Sequence, residues 1–188
     1  MSAEGTKVGR GVEKGQLMSA SEIDRTLVRL AHEILDRNAD VDELVLIGIR
    51  RRGFPLAERL AKKIKEIQGK SVPVGALDIT FYRDDLSKVH SRPVVQDAPL
   101  PFEVKEKAVI LVDDVLYTGR TARAALDALT DHGRPLRVQF CVLIDRGHRE
   151  LPIQANYVGR SVPTTQDQII EVRLEEVDRQ ERVVVVER

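Results

Sequence analysis

The chain of 188 residues has little cysteine, few aromatic residues and no excess of either charge. Its one cysteine, Cys141, excludes an internal disulfide bond and favours a reducing, cytoplasmic setting. Basic and acidic side chains number 30 each, so no global positive field indicates nucleic acid, and any such site must be a local patch. No apolar run approaches membrane-spanning length and no signal-peptide core is present, so we expect no membrane partner.

The apolar content of 42% is nevertheless sufficient for a packed core, and the length suggests a single domain. Buried-strand patterns at Leu44–Ile49, Val109–Val112 and Arg137–Ile144 alternate with helical patterns such as Phe54–Ile67. Near the end of the chain, alternating apolar and charged residues predict an antiparallel hairpin. We therefore predict an α/β fold, in which a parallel sheet is flanked by helices and a small hood subdomain includes a C-terminal β-hairpin.

Other segments set the predicted boundaries. Residues 1–16 are rich in glycine and charge and predict a flexible leader, so that the domain itself covers residues 17–188. Ser19 and Glu22 have the spacing of a capping box at the start of the first helix. The polar stretch 83–107 is long enough to predict an active-site loop, and residues 150–188 contain the hood.

The most informative stretch joins the predicted strand Val109–Val112 to a helix through Asp113, Asp114 and the turn Thr118–Thr121. A continuous apolar run is typical of a strand buried on both faces of a parallel sheet. A turn rich in glycine and hydroxyl groups at the start of a helix predicts an anion site, because the first N–H groups of a helix have no partner within it. Gly119 would let the backbone approach a phosphate closely.

The two carboxylates require another explanation, since they do not attract phosphate. They suit the hydroxyl groups of a sugar or a hard divalent ion such as Mg²⁺. A phosphorylated, activated ribose that carries a metal-bound second phosphate group would satisfy the whole stretch. The alternative is an ordinary strand–turn–helix with a solvated acidic pair.

Further arginines lie where ligands bind in open α/β sheets. The run Arg50–Gly53 follows a strand and precedes a helix, so it lies at the carboxyl edge of the sheet. Guanidinium groups bind a diphosphate with paired hydrogen bonds, and the alternative is a solvated basic turn. Arg146 follows another strand, where we expect a ligand phosphate rather than an internal carboxylate. Arg92, within the long loop, either reaches the diphosphate or is solvated.

The stretch Val109–Thr121 resembles the phosphoribosyl-pyrophosphate (PRPP) signature of type I phosphoribosyltransferases. Together with Leu77–Ser87, Gly133–Pro135 and Asp145–Pro152, it is similar to one branch, the pyrimidine operon regulators of the PyrR family. The similarity extends over nearly the whole chain from about Leu17 onward. The PRPP signature alone would indicate only the superfamily, whereas the run from Asp145 indicates the branch.

The resemblance implies a uracil phosphoribosyltransferase that converts uracil and PRPP to UMP and diphosphate. It implies Mg²⁺ as cofactor, held through the diphosphate of PRPP and by Asp113 or Asp114, directly or through water, and a catalytic role for these two residues and Arg52. The residues expected to bind PRPP or nucleotide are Arg51, Arg52, Gly53, Arg92, Asp113, Asp114, Val115, Leu116, Tyr117, Thr118, Gly119, Arg120, Thr121, Arg146 and Ile170. Ile170 rests on the resemblance alone, since the hood of the family reads the base largely through backbone groups.

The resemblance also implies a transcriptional attenuator that binds pyrimidine-operon leader RNA in response to UMP or UTP, built as a dimer or a dimer-based assembly. The residues expected at the RNA face are Arg29, His32, Arg51, His148, Arg149 and Arg160. Val28 and Arg51 stand where the family usually has Thr, and Gln154 and Arg160 stand where Arg and Lys are usual. RNA binding would then persist with altered specificity or be lost, and its loss would leave an enzyme without RNA binding. A separate alternative is a transferase for a purine base, which would have similar PRPP-binding parts and a different hood.

Overall fold

The computed structural model describes residues 11–82 and 99–188. The strands are β1 (Val12–Ser19), β2 (Leu44–Ile49), β3 (Val74–Leu77), β4 (Ala108–Leu116), β5 (Arg137–Asp145), β6 (Tyr157–Ser161), β7 (Gln168–Arg173) and β8 (Arg182–Glu187). The helices are α1 (Ala20–Arg37), α2 (Gly53–Gln68), α3 (Arg120–Thr130) and the single-turn α4 (Glu175–Asp178). Among the described residues, we find no helix with the length and apolar character needed to cross a membrane.

The predicted parallel sheet is confirmed. Five strands pair in the order β3-β2-β4-β5-β6, and every pairing is parallel. The chain runs outward from β2 to β3 on one side and from β4 to β6 on the other. The direction of winding therefore reverses between β2 and β4, and a crevice at such a reversal is where ligands bind in open α/β sheets. The arginine run follows β2 directly, and the acidic pair lies near the carboxyl end of β4.

Apolar side chains cover both faces of the sheet. On one face, α1 and α2 pack against β2, β4 and β5 together with the hood, around residues such as Ile23, Leu60 and Val183. On the other face, the small side chains of α3, among them Ala125 and Ala128, let that helix lie close to the sheet. Burial on both faces explains the uninterrupted apolar run of β2.

The hood is a separate antiparallel sheet of three strands in the order β1-β8-β7. The predicted C-terminal hairpin is confirmed, because β7 and β8 pair in antiparallel register. The predicted extent of the leader is wrong for residues 12–16, which lie in β1, while residues 1–10 lie outside the described part of the chain. The strand β1 pairs with β8 at the opposite end of the sequence, so local composition could not reveal it.

The local predictions agree with the structure only in part. The capping box is present at the start of α1, where the Ser19 hydroxyl accepts from the Glu22 N–H and the Glu22 carboxylate accepts from the Ser19 N–H. The strand β4 continues past Val112 to Leu116 and so carries the acidic pair on a strand end rather than in a turn. The sequence analysis missed β6, which forms the edge of the sheet beside β5.

A buried amide joins α1 to β5 and β6. The Nδ2 group of Asn38 donates to the Ile34 carbonyl (2.8 Å) and to Oε1 of Gln139 (2.9 Å), and it lies 3.1 Å from the Tyr157 hydroxyl. Its Oδ1 accepts from Nη2 of Arg137 (3.0 Å). Buried polar groups are almost always hydrogen-bonded. These hydrogen bonds satisfy the buried amide of Asn38 and connect the end of α1 to β5 and β6.

We expect Asn38→Leu to lower the free energy of unfolding by about 1–3 kcal/mol, since it removes the hydrogen bonds to the Ile34 carbonyl, Gln139 and Arg137. Urea denaturation of the variant measures this loss. The control is Gln154→Leu at an exposed position, which should change stability by no more than about 0.5 kcal/mol. A loss for Asn38→Leu as small as that of the control would contradict this assignment.

Candidate active site

Two adjoining cavities open where the winding of the sheet reverses. The smaller, of about 260 Å³, lies against the turn between β4 and α3 and against Phe140 of β5. The larger, of about 600 Å³, lies between the arginine run after β2, the residues Asp78 to Thr80 after β3, and the acidic pair. Asp113, Val115 and Thr121 line both cavities, so the two form one continuous site.

The predicted phosphate turn has the geometry of an anion site. Gly119 occupies the N-cap position of α3 with φ of +92° and has no side chain to cap the helix, while the Thr118 hydroxyl accepts from the Arg120 N–H at 3.3 Å. The turn is braced from behind, because the Thr118 carbonyl accepts from the N–H groups of Glu150 (2.9 Å) and Leu151 (3.2 Å). A Cβ at Gly119 would lie 3.3 Å from Cβ of Ile153, so the turn and its brace are in close contact.

The acidic pair lies near the end of β4, where Asp113 lines both cavities and Asp114 lines the larger one. Oδ1 of Asp113 accepts from the Asp114 N–H (2.9 Å), and Oδ1 of Asp114 accepts from the Val115 N–H (2.8 Å). Burial raises the pKa of both carboxyls, and the charge of Asp114 raises the pKa of Asp113 further, well above its ordinary value. The guanidinium of Arg52 opposes the rise in the pKa of Asp114. The free protein therefore holds two adjacent buried carboxyls whose charged forms a cation or hydroxyl groups would stabilise.

This pair should make stability dependent on pH. The raised pKa of Asp113 means that the folded form binds a proton more tightly than the unfolded form, so the free energy of unfolding falls as the pH rises from the ordinary carboxyl pKa to the raised one. We expect Asp113→Asn to flatten this dependence and to raise the melting temperature by several degrees at neutral pH. Thermal unfolding at a series of pH values tests this, and a variant less stable than the parent at neutral pH would contradict it.

The arginine run lies directly against the acidic pair. A Cβ added at Gly53 would meet the Val112 carbonyl oxygen at 2.3 Å, so only glycine lets the start of α2 approach β4 this closely. Gly53 therefore has a packing role, and it does not line either cavity. The peptide bond between Arg50 and Arg51 is cis. Arg50, Arg51 and Arg52 all line the larger cavity.

Arg52 is held from the other side by the hood. Its Nε and Nη2 donate to the two carboxylate oxygens of Asp178, at 3.1 and 2.7 Å. Glu176, which is also in α4, forms a second two-pronged ion pair, with Arg59 of α2. Asp178 and Asp78 were missed by the sequence analysis. Asp78 was detectable, because it follows a third strand that ends at the same edge of the sheet.

The donor set fits a magnesium ion only in company with a ligand. The described residues contain no group of three or more His, Cys, Asp or Glu side chains that would hold a metal. Mg²⁺ in phosphate-binding sites usually takes one or two carboxylates and completes its shell with phosphate oxygens and water. The carboxylates of Asp113 and Asp114 beside a 600 Å³ cavity match that pattern.

Arg146 is placed differently from the expectation. It lines neither cavity, and its side chain is buried, with 5% exposed. Nη2 donates to the carbonyl oxygens of Gln168 (2.6 Å) and Thr165 (3.3 Å), Nε donates to the Thr164 hydroxyl (3.1 Å), and the guanidinium lies 3.9 Å from the centre of the Tyr117 ring. Arg146 thus joins the phosphate turn to the segment that leads into β7, and its partners are carbonyls and a hydroxyl rather than a carboxylate.

The remaining nucleotide-site predictions divide into three groups. Val115, Leu116, Tyr117, Thr118, Gly119, Arg120 and Thr121 are brought together around the smaller cavity. Ile170 lies in β7 with its side chain in the core, so a contact with the base through its backbone stays a prediction. Arg92 and residues 83–98 of the long loop lie outside the described residues.

Four of the six residues expected at an RNA face are held by contacts within the chain. Arg29 pairs with Glu33 and donates to the Val158 and Gly159 carbonyls, Arg160 contacts Leu17 and Glu22, Arg149 contacts Tyr117, Asp145 and Ile153, and His148 contacts Thr164. RNA phosphates would have to share or displace these partners. His32 and Arg51 are exposed, on α1 and before α2. Their binding to RNA stays a prediction.

Comparison with known proteins identifies relatives over nearly the whole chain. A family model described as the phosphoribosyl transferase domain matches residues 15–185. A protein named Bifunctional protein PyrR from Pelotomaculum thermopropionicum is 59% identical over 175 residues, which cover 93% of this chain and 97% of that protein. A protein of the same name from Clostridioides difficile is 55% identical over 176 residues, covering 94% and 99%.

Solved structures with a similar fold have much lower identity. A hypoxanthine-guanine phosphoribosyltransferase from Bacillus anthracis has a TM-score of 0.70 at 23% identity and covers 93% of this chain and 98% of its own. A hypoxanthine phosphoribosyltransferase from Trypanosoma cruzi in a ternary substrates complex has a TM-score of 0.72 at 22% identity, covering 94% and 96%. At these identities the likeness shows the fold alone.

Proposed function

Because the chain belongs to the phosphoribosyltransferase family, and within it to the proteins named Bifunctional protein PyrR, we propose that it is a uracil phosphoribosyltransferase that also regulates pyrimidine genes as an RNA-binding attenuator responsive to UMP. The fold is that of the type I phosphoribosyltransferases. The single observation that supports the activity best is the juxtaposition of a helix start with glycine at its N-cap, a buried acidic pair and three arginines around one site.

Each part of the site suits one part of PRPP. The turn Thr118–Thr121 would bind the 5′-phosphate through backbone N–H groups and hydroxyls at the positive end of α3. Asp113 and Asp114 would accept hydrogen bonds from the ribose hydroxyls, directly beside that turn. The larger cavity, with its three arginines, would take the diphosphate.

In the reaction, the bond between the anomeric carbon and diphosphate breaks as the bond to a ring nitrogen of uracil forms, the proton of that nitrogen passes to solvent or to the departing diphosphate, and negative charge accumulates on the leaving group. The chain offers positioning and electrostatic stabilisation rather than a nucleophile. Arg52 would stabilise the leaving diphosphate, and the acidic pair would stabilise the positive charge that develops on the ribose. Mg²⁺, bound by the diphosphate and by Asp113 or Asp114, would neutralise part of the diphosphate charge.

The uracil would lie next to the hood. The smaller cavity is bounded by Tyr117 and Phe140, and Arg146 connects Tyr117 to the carbonyl of Gln168 at the start of β7. Backbone groups of β7 near Ile170 would read the edge of the base. We include Arg92 and the loop 83–107 in the proposal as the part that closes over PRPP and excludes water, since hydrolysis of PRPP is the competing reaction.

The enzyme is tested by measuring diphosphate release from PRPP and Mg²⁺ with uracil, hypoxanthine or guanine as the base. We expect release with uracil and formation of UMP. Turnover with either purine but not with uracil would overturn the choice of base and leave the transferase reaction intact. No turnover with any of the three bases would overturn the enzymatic proposal.

The regulatory function depends on His32 and Arg51, together with Arg29, His148, Arg149 and Arg160. Neutralising RNA phosphates gives most of the affinity, whereas placed hydrogen bonds give the specificity. The additional cation at Arg51 supports affinity, and the loss of a hydroxyl at Val28 removes one specific contact. We propose that the protein is cytoplasmic. We also propose that it forms a dimer or a dimer-based assembly, whose molar mass light scattering can measure.

A gel shift with pyrimidine-leader RNA, with and without UMP, tests regulation independently of turnover. We expect UMP to strengthen the RNA complex, because the nucleotide site adjoins the loop of His148 and bound nucleotide would favour the form of that loop that binds RNA. The coupling is reciprocal, so RNA should strengthen UMP binding by the same factor. The control is His32→Ala, which should weaken the RNA complex without changing uracil turnover. No RNA complex at any UMP concentration would leave an enzyme without the attenuator function.

A further inference from the structure

One side chain of the hood, Asp178, contacts an arginine that lines the larger cavity. Asp178 ends the helix α4, and both of its carboxylate oxygens accept from Arg52, whose guanidinium lines the larger cavity. Asp178 also accepts from the Leu174 N–H at 2.9 Å, so its own position is fixed by the turn that carries it. Both partners are largely buried, with 34% and 20% of their side chains exposed.

This geometry restricts which nitrogens of Arg52 can serve a ligand. An arginine presents five N–H groups in a rigid fork. Asp178 takes Nε and one position on Nη2, which leaves Nη1 and the remaining position on Nη2 for the site. A free arginine would lose rotamer entropy when it is ordered by a ligand. An arginine already fixed by a carboxylate avoids much of that loss.

The charges around Arg52 agree with this arrangement. Hydrogen bonds and charge from Asp178, and the charge of Asp114, raise the pKa of Arg52 above its ordinary value. Burial acts to raise the pKa of Asp178, but hydrogen bonds from Arg52 and the Leu174 N–H outweigh it and hold the pKa of that carboxyl below its ordinary value. The pair is therefore fully charged at neutral pH, with Arg52 between the hood carboxylate and the acidic pair.

We propose that Asp178 is a positioning residue, which holds the guanidinium of Arg52 in the orientation that stabilises the leaving diphosphate and thereby makes the hood a part of the diphosphate site. This inference rests on the proposed phosphoribosyl transfer. Loss of the Asp178 carboxylate leaves the charge of Arg52 in place, so ground-state attraction for PRPP persists. The fixed orientation is lost, and with it stabilisation that matters most in the transition state.

The test is steady-state turnover of Asp178→Asn with PRPP varied at saturating uracil. We expect kcat to fall about tenfold while KM for PRPP stays within about threefold of the parent value. The matched control is Glu176→Gln, which removes a two-pronged ion pair between the same hood helix and Arg59 of α2, outside both cavities. Its kcat and KM should both stay within about twofold of the parent values.

A double-mutant cycle separates positioning from general damage to the hood. If Asp178 acts through Arg52, then Arg52→Gln lowers kcat and adding Asp178→Asn lowers it no further. An additional fall in the double variant, or an equal loss in Glu176→Gln, would overturn the inference. So would normal kcat in Asp178→Asn when Arg52→Gln is impaired.

Two further outcomes keep the test decisive. Normal turnover of Arg52→Gln would remove Arg52 from the leaving-group role and this inference with it, whereas the base panel tests the transfer reaction separately.

Urea denaturation establishes whether each variant folds. If Asp178→Asn does not fold, Asp178→Glu takes its place: it keeps the charge but moves the carboxylate by one methylene, so kcat should fall about threefold at unchanged KM. Parental kcat in a folded Asp178→Glu variant would then overturn the inference.

Discussion

Asp114→Asn is expected to lower kcat for UMP formation at least ~100-fold, the usual scale for removing one preorganised electrostatic contact. The half-buried Asp114 lies at the end of β4 in the larger cavity, facing Arg52, so its charge acts where the ribose becomes positive. The amide keeps the shape and one acceptor but lacks the charge. Product formation under saturating PRPP, uracil and Mg²⁺ measures the effect.

The matched control is Asp127→Asn, an exposed carboxylate on α3 whose only described ion pair is the surface pair with Arg123. This control should retain turnover within about twofold of the parent. Asp114→Asn should also remain folded, because burial raises the pKa of Asp114 and its neutral form is the less demanding one in the free protein. Turnover near the parental value in a folded Asp114→Asn variant would remove the acidic pair from the reaction.

The edge of the sheet that carries the site was predictable, because parallel strands bring their carboxyl ends together. The apolar runs of β2 and β4 are encoded locally, and each is followed directly by the polar residues that line the cavities. The start of α3 was predictable in the same way from Gly119 and the hydroxyls beside it. Local pattern and sheet geometry together were sufficient to bring Arg50–Arg52 and Asp113–Asp114 to one place.

Pairings between distant side chains were not predictable. Arg52 and Asp178 are 126 positions apart, and a chain with 30 basic and 30 acidic residues offers many other partners with the same local chemistry. The pairing of β1 with β8 presents the same difficulty, since an edge strand of mixed composition has no distinctive pattern of its own. Such contacts follow from the assembled fold and not from any one segment.

Arg146 shows how burial changes the role of a correctly located residue. Its position at the end of β5 suggested a ligand phosphate, but the structure encloses the side chain beneath the hood. A buried guanidinium must satisfy its N–H groups, and the nearby carbonyls of Thr165 and Gln168 do so. The sequence located the residue near the site, whereas the packing of the hood determined its partners.

The second large effect is expected for Gly119→Val, which should weaken UMP and PRPP binding at least ~100-fold, as expected when several backbone hydrogen bonds to phosphate are lost together. Gly119 has φ of +92°, which a β-branched residue rarely adopts, and a Cβ there would also crowd Ile153 at 3.3 Å. The turn must therefore change shape, and its N–H groups would no longer converge on one phosphate. Isothermal titration calorimetry with each ligand measures the loss.

The strain of a valine at positive φ must be separated from the loss of the phosphate turn, and Gly69 provides that control. Gly69 ends α2 with φ of +74°, and a Cβ there would meet nothing within 4 Å. Gly69→Val should lower the free energy of unfolding by about 1–2 kcal/mol and leave ligand affinity unchanged. Parental affinity in a folded Gly119→Val variant would show that phosphate binds elsewhere, whereas equal affinity losses in both variants would show that the effect comes from destabilisation and not from the turn.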